Sequence, residues 1–275
     1  MSSIAKTSQA LRTASEEASW IHPTALVDDE AEIGDGVQVG PFSIIGPNVV
    51  VGAGTRIGPH VLIERDTVVG RDCVIAKGAV LGSDPQDQKY AGEQTFLEVG
   101  DRTRIREYVT LNRGTTASGK TTIGSDCMLM SYAHVAHDCV LGDHVIISNA
   151  VNMGGHVTIG DWAIIGGMTP IHQFVRIGQH AFVGGASRAA KDIPPYVKAA
   201  GNPVQLYGLN SVGLQRRGFP DEVRRELKRA YRLLFASSYN TTQALARAEE
   251  ELQHYDEVET FLAFFQASDR GISGR

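Results

Sequence analysis

The sequence predicts a mainly β protein: a parallel β-helix of hexapeptide repeats followed by a C-terminal α-helical domain. Three observations carry that prediction. An aliphatic residue falls on every sixth position in two unbroken runs, from Ile21 to Leu81 and from Ile123 to Val183, and Val99, Ile105 and Leu111 resume the register between them. Eleven such hits in a row are on the order of a one-in-a-million accident at ordinary usage of Ile, Val, Leu and Met. Four residues after each aliphatic comes something small or β-branched, as at Val49, Thr55, Cys73, Ala133 and Val145. Helix-forming runs are absent until after residue 200. A six-residue period fits neither a 3.6-residue helix nor one long two-residue alternation. It fits a short strand whose two inward side chains, the offset-four and sixth positions, lie two apart as a pleat requires. Gly follows the aliphatic at 34, 40, 46, 52 and 58, and Pro stands two places after it at 23, 41, 47 and 59, so the chain turns there. Each rung then rests on its neighbours.

Residues 1–19 are small and polar with mixed charges, which reads as a flexible extension; they lack the apolar core of a secretory signal. Residues 20–200 make up the β-helix. Two segments interrupt it: 82–98, which contains Asp84-Pro85-Gln86-Asp87-Gln88-Lys89-Tyr90, and 112–122, which runs from Asn112-Arg113-Gly114-Thr115 to Thr122. Both are too polar to stack, and loops expelled from a regular scaffold carry function more often than its rungs do. The composition changes at about Gly201, where the helical domain, 201–275, begins. Pro220 followed by Asp221-Glu222 opens a helix through Phe235, with Val223, Leu227, Ala230 and Leu234 on one face. Segments 241–255 and 257–267 read as two more helices. Their first task is to cover the open end of the β-helix, since an uncapped rung is an edge strand.

A net charge of −5 with 21% charged residues describes an ordinary soluble protein, and 275 residues can bury an ample core. Without a basic excess the chain is not expected to bind nucleic acid, and no apolar run is long enough to span a bilayer. Three cysteines, an odd number at no metal-binding spacing, point to a reducing cytoplasm. Cys73, Cys127 and Cys139 all occupy the small inward position, so they read as packing residues rather than nucleophiles. From Arg216 to Arg232 seven Arg or Lys stand against three acidic residues. That is either a solvated helix face or a docking surface for an acidic partner, and charge alone leaves both open.

If three hexads make one coil, residues eighteen apart lie above one another. His137 then stacks under Gly155 and Gln173, Asp138 under His156, and Ala136 under Gly154 and His172. His137, His156, His172 and Gln173 gather on one outer ribbon, and His134 is outward too. His137 followed by Asp138 offers an imidazole beside a carboxylate that holds its tautomer and raises its basicity, as a general base needs. Gly154-Gly155 exposes backbone N–H groups without side-chain cover, which suits an oxyanion. The rival reading of the cluster is a zinc site completed by imidazoles from adjacent subunits, but no ordered Cys or acidic partner supports it, and no metal is expected.

At these residues the chain resembles the UDP-N-acetylglucosamine acyltransferases of lipid A biosynthesis, whose reaction opens that pathway. The resemblance runs from about Ile21 to Arg270. It rests on Asp87-Gln88-Lys89-Tyr90-Ala91-Gly92-Glu93, Asn112-Arg113-Gly114-Thr115, Ala133-His134-Val135-Ala136-His137-Asp138-Cys139, Ile164-Ile165-Gly166-Gly167-Met168-Thr169, His172-Gln173-Phe174, Pro194-Pro195-Tyr196 and Arg216-Arg217-Gly218-Phe219. Simple sugar O-acetyltransferases share the repeat but not this set.

The resemblance implies a left-handed β-helix and a homotrimer with active sites in the clefts between subunits. An (R)-3-hydroxyacyl group would pass from acyl carrier protein to the 3-hydroxyl of UDP-N-acetylglucosamine, without a cofactor. In that reading His137 is the general base, Asp138 orients it, and the N–H of Gly155 holds the oxyanion. Asp87 and Lys89 would contact donor chain and sugar. His134, His156, His172 and Gln173 would line the cleft, and Asn210, Arg216 and Arg217 would hold the nucleotide. Residues around Phe182 to Gly185 would measure the acyl chain, and Gly185 leaves room for a longer one. The acidic carrier protein becomes a candidate partner for the basic run. Asn112, Val212 and Pro203 depart from the commonest family pattern. Rival expectations are a related enzyme acylating an amino-sugar amine, a non-enzymatic β-helix used as a binding surface, and a γ-type carbonic anhydrase.

Overall fold

A computed structural model of the chain describes residues 18–274. The expectation for the N-terminal extension falls almost wholly outside those residues. Strands of two to four residues recur from Trp20–Ile21 to Phe182–Val183, and as far as Ile164–Ile165 each is paired in parallel with the strand three steps on. Isolated strands this short have no stability of their own, and stacking supplies it. They assemble into three sheets, one of eleven strands and two of eight, which form the faces of a triangular prism. Ile21 pairs with Val39, Ile45 with Ile63 and Ile147 with Ile165, so one coil takes eighteen residues. Leu81 pairs with Leu111 and Leu111 with Val135, so the two interruptions expel twelve and six extra residues without shifting the register. The excursions are narrower at the base than 82–98 and 112–122, because their ends continue as the strands Val80–Ser83, Phe96–Val99, Thr110–Asn112 and Lys120–Ile123.

The sixth and offset-four residues fill the prism. Val39, Ile45, Ile63, Leu129, Val135 and Ile165 are buried, and so are Cys73, Cys127 and Cys139. Burial pushes the Cys127 thiol up to about 11 and Cys139 to about 12, which suits packing residues. The register fails at its first member: Ile21 is 41% exposed, because no coil lies beneath the first one among the described residues.

The turns divide their work differently from the expectation that Gly and Pro bend the chain together. The left-handed residue falls three places after the inward aliphatic and is seldom Gly: Asn48, Asp66, Asp138, His156 and Phe174 all have φ between 46° and 64°. The Gly one place after the aliphatic serves close approach instead. A Cβ on Gly46 would stand 1.7 Å from the carbonyl oxygen of Glu64 in the next coil.

Beyond the last rung, Val197–Ala200 and Gln205–Leu209 form an antiparallel hairpin on the eleven-stranded sheet. Four helices follow: α1 (Ser211–Arg216), α2 (Asp221–Phe235), α3 (Thr241–Glu251) and α4 (Asp256–Gln266). Helix α3 stops short of residue 255 because Leu252 turns to extended backbone and buries its side chain. The hairpin and α1 are not foreshadowed by any periodicity. Leu214, Val223, Leu227, Ala230, Leu234 and Phe261 join Ile193, Val197 and Ala199 in one core, so the helices cover the C-terminal end of the prism. Among the described residues no helix is long and apolar enough to cross a membrane.

Candidate active site

One edge of the prism collects the outward histidines. Chain passing from the second sheet to the third turns there in every coil. In successive coils that edge carries the excursion 84–95, the excursion 113–119, the turn bearing His137 and Asp138, the turn bearing Gly155 and His156, and the turn bearing His172, Gln173 and Phe174. His156 donates its backbone N–H to His137 O at 3.0 Å, and Phe174 donates to Gly155 O at 3.0 Å, so the turns stack directly.

The Asp138 side chain is fully buried and is the hub of the site. Nδ1 of His137 lies 2.7 Å from its Oδ2. Thr115 donates its backbone N–H to Oδ1 at 2.9 Å and its hydroxyl to Oδ2 at 2.7 Å, and the Ser118 hydroxyl donates to Oδ1. Asp138 in turn donates its own N–H to Thr121 Oγ1 at 2.8 Å. Burial would raise the carboxyl, but the hydrogen bonds from Ser118, His137 and Thr115 outweigh it and hold it at about 2. An ionised carboxylate facing Nδ1 selects the tautomer with the proton there. Nε2 of His137 is then a free base, and it faces Gly155, where a Cβ would stand 2.7 Å from it. Gly155 N–H donates to no acceptor among the described residues.

His156 packs edge-on against His137 with centroids 5.2 Å apart, stacks on Phe174 at 4.4 Å, and brings Nε2 within 3.6 Å of Asp138 Oδ2. His134 lies one strand position before the turn, with Nδ1 2.7 Å from Thr110 Oγ1; burial, and then the nearness of His137, push its pKa down. His172 and Gln173 are exposed, and Arg270 of the C-terminal segment reaches Nδ1 of His172 at 3.2 Å. His137, Asp138 and His156 place possible metal-ligand atoms within 4.8 Å of one another, the one such group among the described residues. Protons already satisfy this cluster: each Asp138 oxygen accepts two hydrogen bonds, and Nδ1 of His137 spends itself on the same carboxylate. The donor set therefore fits a proton-transfer pair better than a metal.

Two family models match the chain. Bacterial transferase hexapeptide repeats match residues 30–65 and 120–155, and the second domain of UDP-N-acetylglucosamine O-acyltransferases matches residues 192–273. Acyl-[acyl-carrier-protein]–UDP-N-acetylglucosamine O-acyltransferases of Thiobacillus denitrificans and Myxococcus xanthus are 46% and 47% identical to it, each over 92% of this chain and 98% of their own. The chain belongs to the UDP-N-acetylglucosamine O-acyltransferase family. Solved members agree in fold: the enzyme of Acinetobacter baumannii superposes with a TM-score of 0.90 at 42% identity, over 92% of this chain and 99% of that one. The Campylobacter jejuni protein gives 0.88 at 35% identity, over 93% and 99%. The prism is accordingly the left-handed parallel β-helix of this family.

Within one subunit the other residues that the sequence singles out as acyltransferase contacts do not reach His137. Asp87 accepts the backbone N–H of Lys89 at 3.0 Å inside the first excursion, and no contact joins either to the histidines among the described residues. Asn210 caps α1, accepting the N–H of Gly213, and donates to His180 O at 3.0 Å. With Arg216, Phe182, Lys198 and Lys228 it lines a cavity of about 590 Å³ over the first sheet, a different face from the His137 edge. Arg217 diverges from Arg216. It lies over the Trp162 ring at 5.1 Å and donates to Trp162 O at 3.0 Å, so only Arg216 faces the cavity that Asn210 lines. Gly185, in the turn beyond Phe182, is exposed and lies outside that cavity.

Sequence reasoning missed Thr115, Ser118 and Thr121, which hold Asp138, and Thr110, which holds His134. The polar run 112–122 was the available signal, but it did not say which hydroxyls turn inward.

Proposed function

We propose that the protein transfers an (R)-3-hydroxyacyl chain from acyl carrier protein to the 3-hydroxyl of UDP-N-acetylglucosamine, the first step of lipid A biosynthesis, in the cytoplasm and without a cofactor. Nε2 of His137 takes the proton of the acceptor hydroxyl, and the oxygen attacks the thioester carbonyl. The N–H of Gly155 donates to the oxyanion of the tetrahedral intermediate. The C–S bond then breaks, and the thiolate leaves with the proton held by His137. Asp138 keeps the imidazole in the correct tautomer and stabilises its charged form. The observation that carries this reading is the His137–Asp138 pair, aimed at a glycine whose bare N–H has no partner among the described residues.

A homotrimer completes the site in this reading. Asn210 and Arg216 of one subunit supply the nucleotide pocket beside the His137 edge of the next. The separation of those two sets on different faces of one subunit supports it. Asp87, Lys89, His134, His156, His172 and Gln173 line the same cleft. Gly185 opens space beyond Phe182, which favours long hydroxyacyl chains.

The test is an acyl-transfer assay, read by mass spectrometry, with a panel of hydroxyacyl carrier proteins against UDP-N-acetylglucosamine and its 3-amino analogue. O-acylated product with long-chain donors is expected, and His137→Ala should lower turnover about 10²- to 10⁴-fold while the assembly survives. Transfer to the 3-amino analogue alone would reassign the acceptor, and a near-normal rate in His137→Ala would remove the base.

A further inference from the structure

The second excursion has no counterpart in the repeat, yet it supplies three of the four hydrogen bonds to the Asp138 carboxylate. We propose that Thr115 and Ser118 are positioning residues that clamp Asp138 and, through it, aim His137 for the acyl transfer; this inference rests on the function proposed above.

The geometry of the excursion is built around that contact. Gly114 lies where its two ends pinch together: a Cβ there would stand 2.4 Å from the backbone nitrogen of Lys120. Gly119 donates its N–H to Thr115 O at 2.7 Å and closes the loop. Thr115 Oγ1 accepts the N–H of Ala117 at 3.2 Å, which leaves its single hydrogen for Asp138 Oδ2. The Ser118 hydroxyl has two acceptors in reach, Lys120 O at 2.8 Å and Asp138 Oδ1, and an anionic oxygen is the stronger acceptor. Arg113, buried at the root of the excursion, is fixed by Gly82 O, Asp84 and Tyr90 and so anchors the loop from below.

Before His137 is considered, Oδ1 thus takes two bonds, from the Thr115 N–H and the Ser118 hydroxyl, and Oδ2 takes one, from the Thr115 hydroxyl. A carboxylate free to rotate about its Cβ–Cγ bond could turn Oδ2 toward His156, whose Nε2 is already 3.6 Å away. It would then leave the His137 ring unheld. The clamp forbids that rotation. It also drains charge from the carboxylate, so that Asp138 holds the imidazole without binding its proton too firmly for release to the thiolate. The other titratable groups facing this centre are His137, His156 and, beyond His137, His134. Lys120 is turned away onto Glu98 at 2.8 Å.

Thr115→Val removes the hydroxyl and keeps the shape, and Ser118→Ala removes the other. The expected result is a fall in kcat of about tenfold for each and about a hundredfold together, with KM for both substrates unchanged within twofold and the melting temperature of the assembled enzyme within a few degrees. Thr115→Ser and Ser118→Thr, which restore the hydroxyls, should recover most of the rate. If His137→Ala is inactive but the double variant turns over normally, the clamp is refuted while the catalytic reading stands. If His137→Ala is itself active, the catalytic reading fails first. A loss shared between kcat and KM, accompanied by a lowered melting temperature and not rescued by the hydroxyl-bearing variants, would show the excursion to be structural and would equally overturn the proposal.

Discussion

A Cβ placed on Gly155 would lie 2.5 Å from Cε1 of His137 and 2.7 Å from its Nε2. Both distances are shorter than real Cβ contacts, and the ring cannot simply swing aside, because its Nδ1 is held at 2.7 Å by a carboxylate that three other donors fix. Gly155→Ala should therefore displace the imidazole or break its bond to Asp138. Turnover should fall about 10²- to 10⁴-fold with the fold intact, since the three atoms a Cβ would meet first all belong to the His137 ring. Steady-state kinetics beside circular dichroism checks this, and an active Gly155→Ala enzyme would mean that the ring is not confined.

Asp138 also links the site to stability. Its carboxyl is held at about 2 in the folded protein against about 3.8 when unperturbed. A depressed folded value stabilises the protein at pH above the unfolded value, and the contribution is lost as pH falls through the folded one. The window is therefore about pH 4 to pH 2, and the amount is about 2 kcal/mol. Asp138→Asn should be less stable than the parent at pH 7, and the gap should narrow below pH 4, where the parent loses its advantage. Denaturant unfolding of both proteins across that range measures the difference. A gap independent of pH would mean that the carboxylate charge contributes nothing.

The scaffold was legible in the sequence because each inward residue repeats the same burial problem. Counting in sixes sorted Cys127 and Cys139 inward and His137 and His156 outward, and counting in eighteens set His137 under Gly155. Counting stops working where residues are inserted. Thr115 stands twenty-three positions before Asp138 in a loop that belongs to no coil, so no period connects them, and a hydroxyl carries no signature until the loop is closed. Arg216 and Arg217 show the converse limit. Adjacent in sequence, they look like one phosphate-binding pair, but α1 ends between them and the backbone sends their side chains to different neighbours.

The basic run beyond Arg216 divides in the same way. Arg224 pairs with Asp221 and Arg229 with Glu226, so those two are committed to the helix itself. Arg216, Arg225, Lys228 and Arg232 are exposed and make no ion pair among the described residues. Arg216 and Lys228 line the cavity beside Asn210, so Arg225 and Arg232 are the surface expected to meet the acidic carrier protein. Affinity for acyl carrier protein should weaken steadily as salt rises, and Arg225→Ala with Arg232→Ala should raise Kd about tenfold at low salt and less at high salt. Titration at several ionic strengths decides it; a salt-independent Kd would place the carrier elsewhere.

Arg113 is the one buried Arg or Lys among the described residues, 2% exposed, and its acceptors all belong to the other excursion or its root: Gly82 O, Asp84 and the Tyr90 hydroxyl at 3.0 Å. Its neighbour Asn112 donates to Asp84 O at 2.8 Å, so the two residues together fasten one loop to the other. The loop they fasten carries Asp87 and Lys89. Arg113→Ala removes three bonds and leaves two of the acceptors, Gly82 O and the Tyr90 hydroxyl, facing a void, at a cost of about 2–3 kcal/mol. Lys at this position cannot replace the fork, because one ammonium does not reach three acceptors spread in a plane. Backbone amides of residues 84–95 should exchange with deuterium faster in Arg113→Ala and in Arg113→Lys, while those of the rungs at Val135 and Ile147 keep their protection. Substrate KM should rise and kcat should fall together, since the guanidinium holds the first excursion and also roots the second, whose hydroxyls hold Asp138. Unchanged exchange in residues 84–95 would show that the loop holds its shape without the guanidinium.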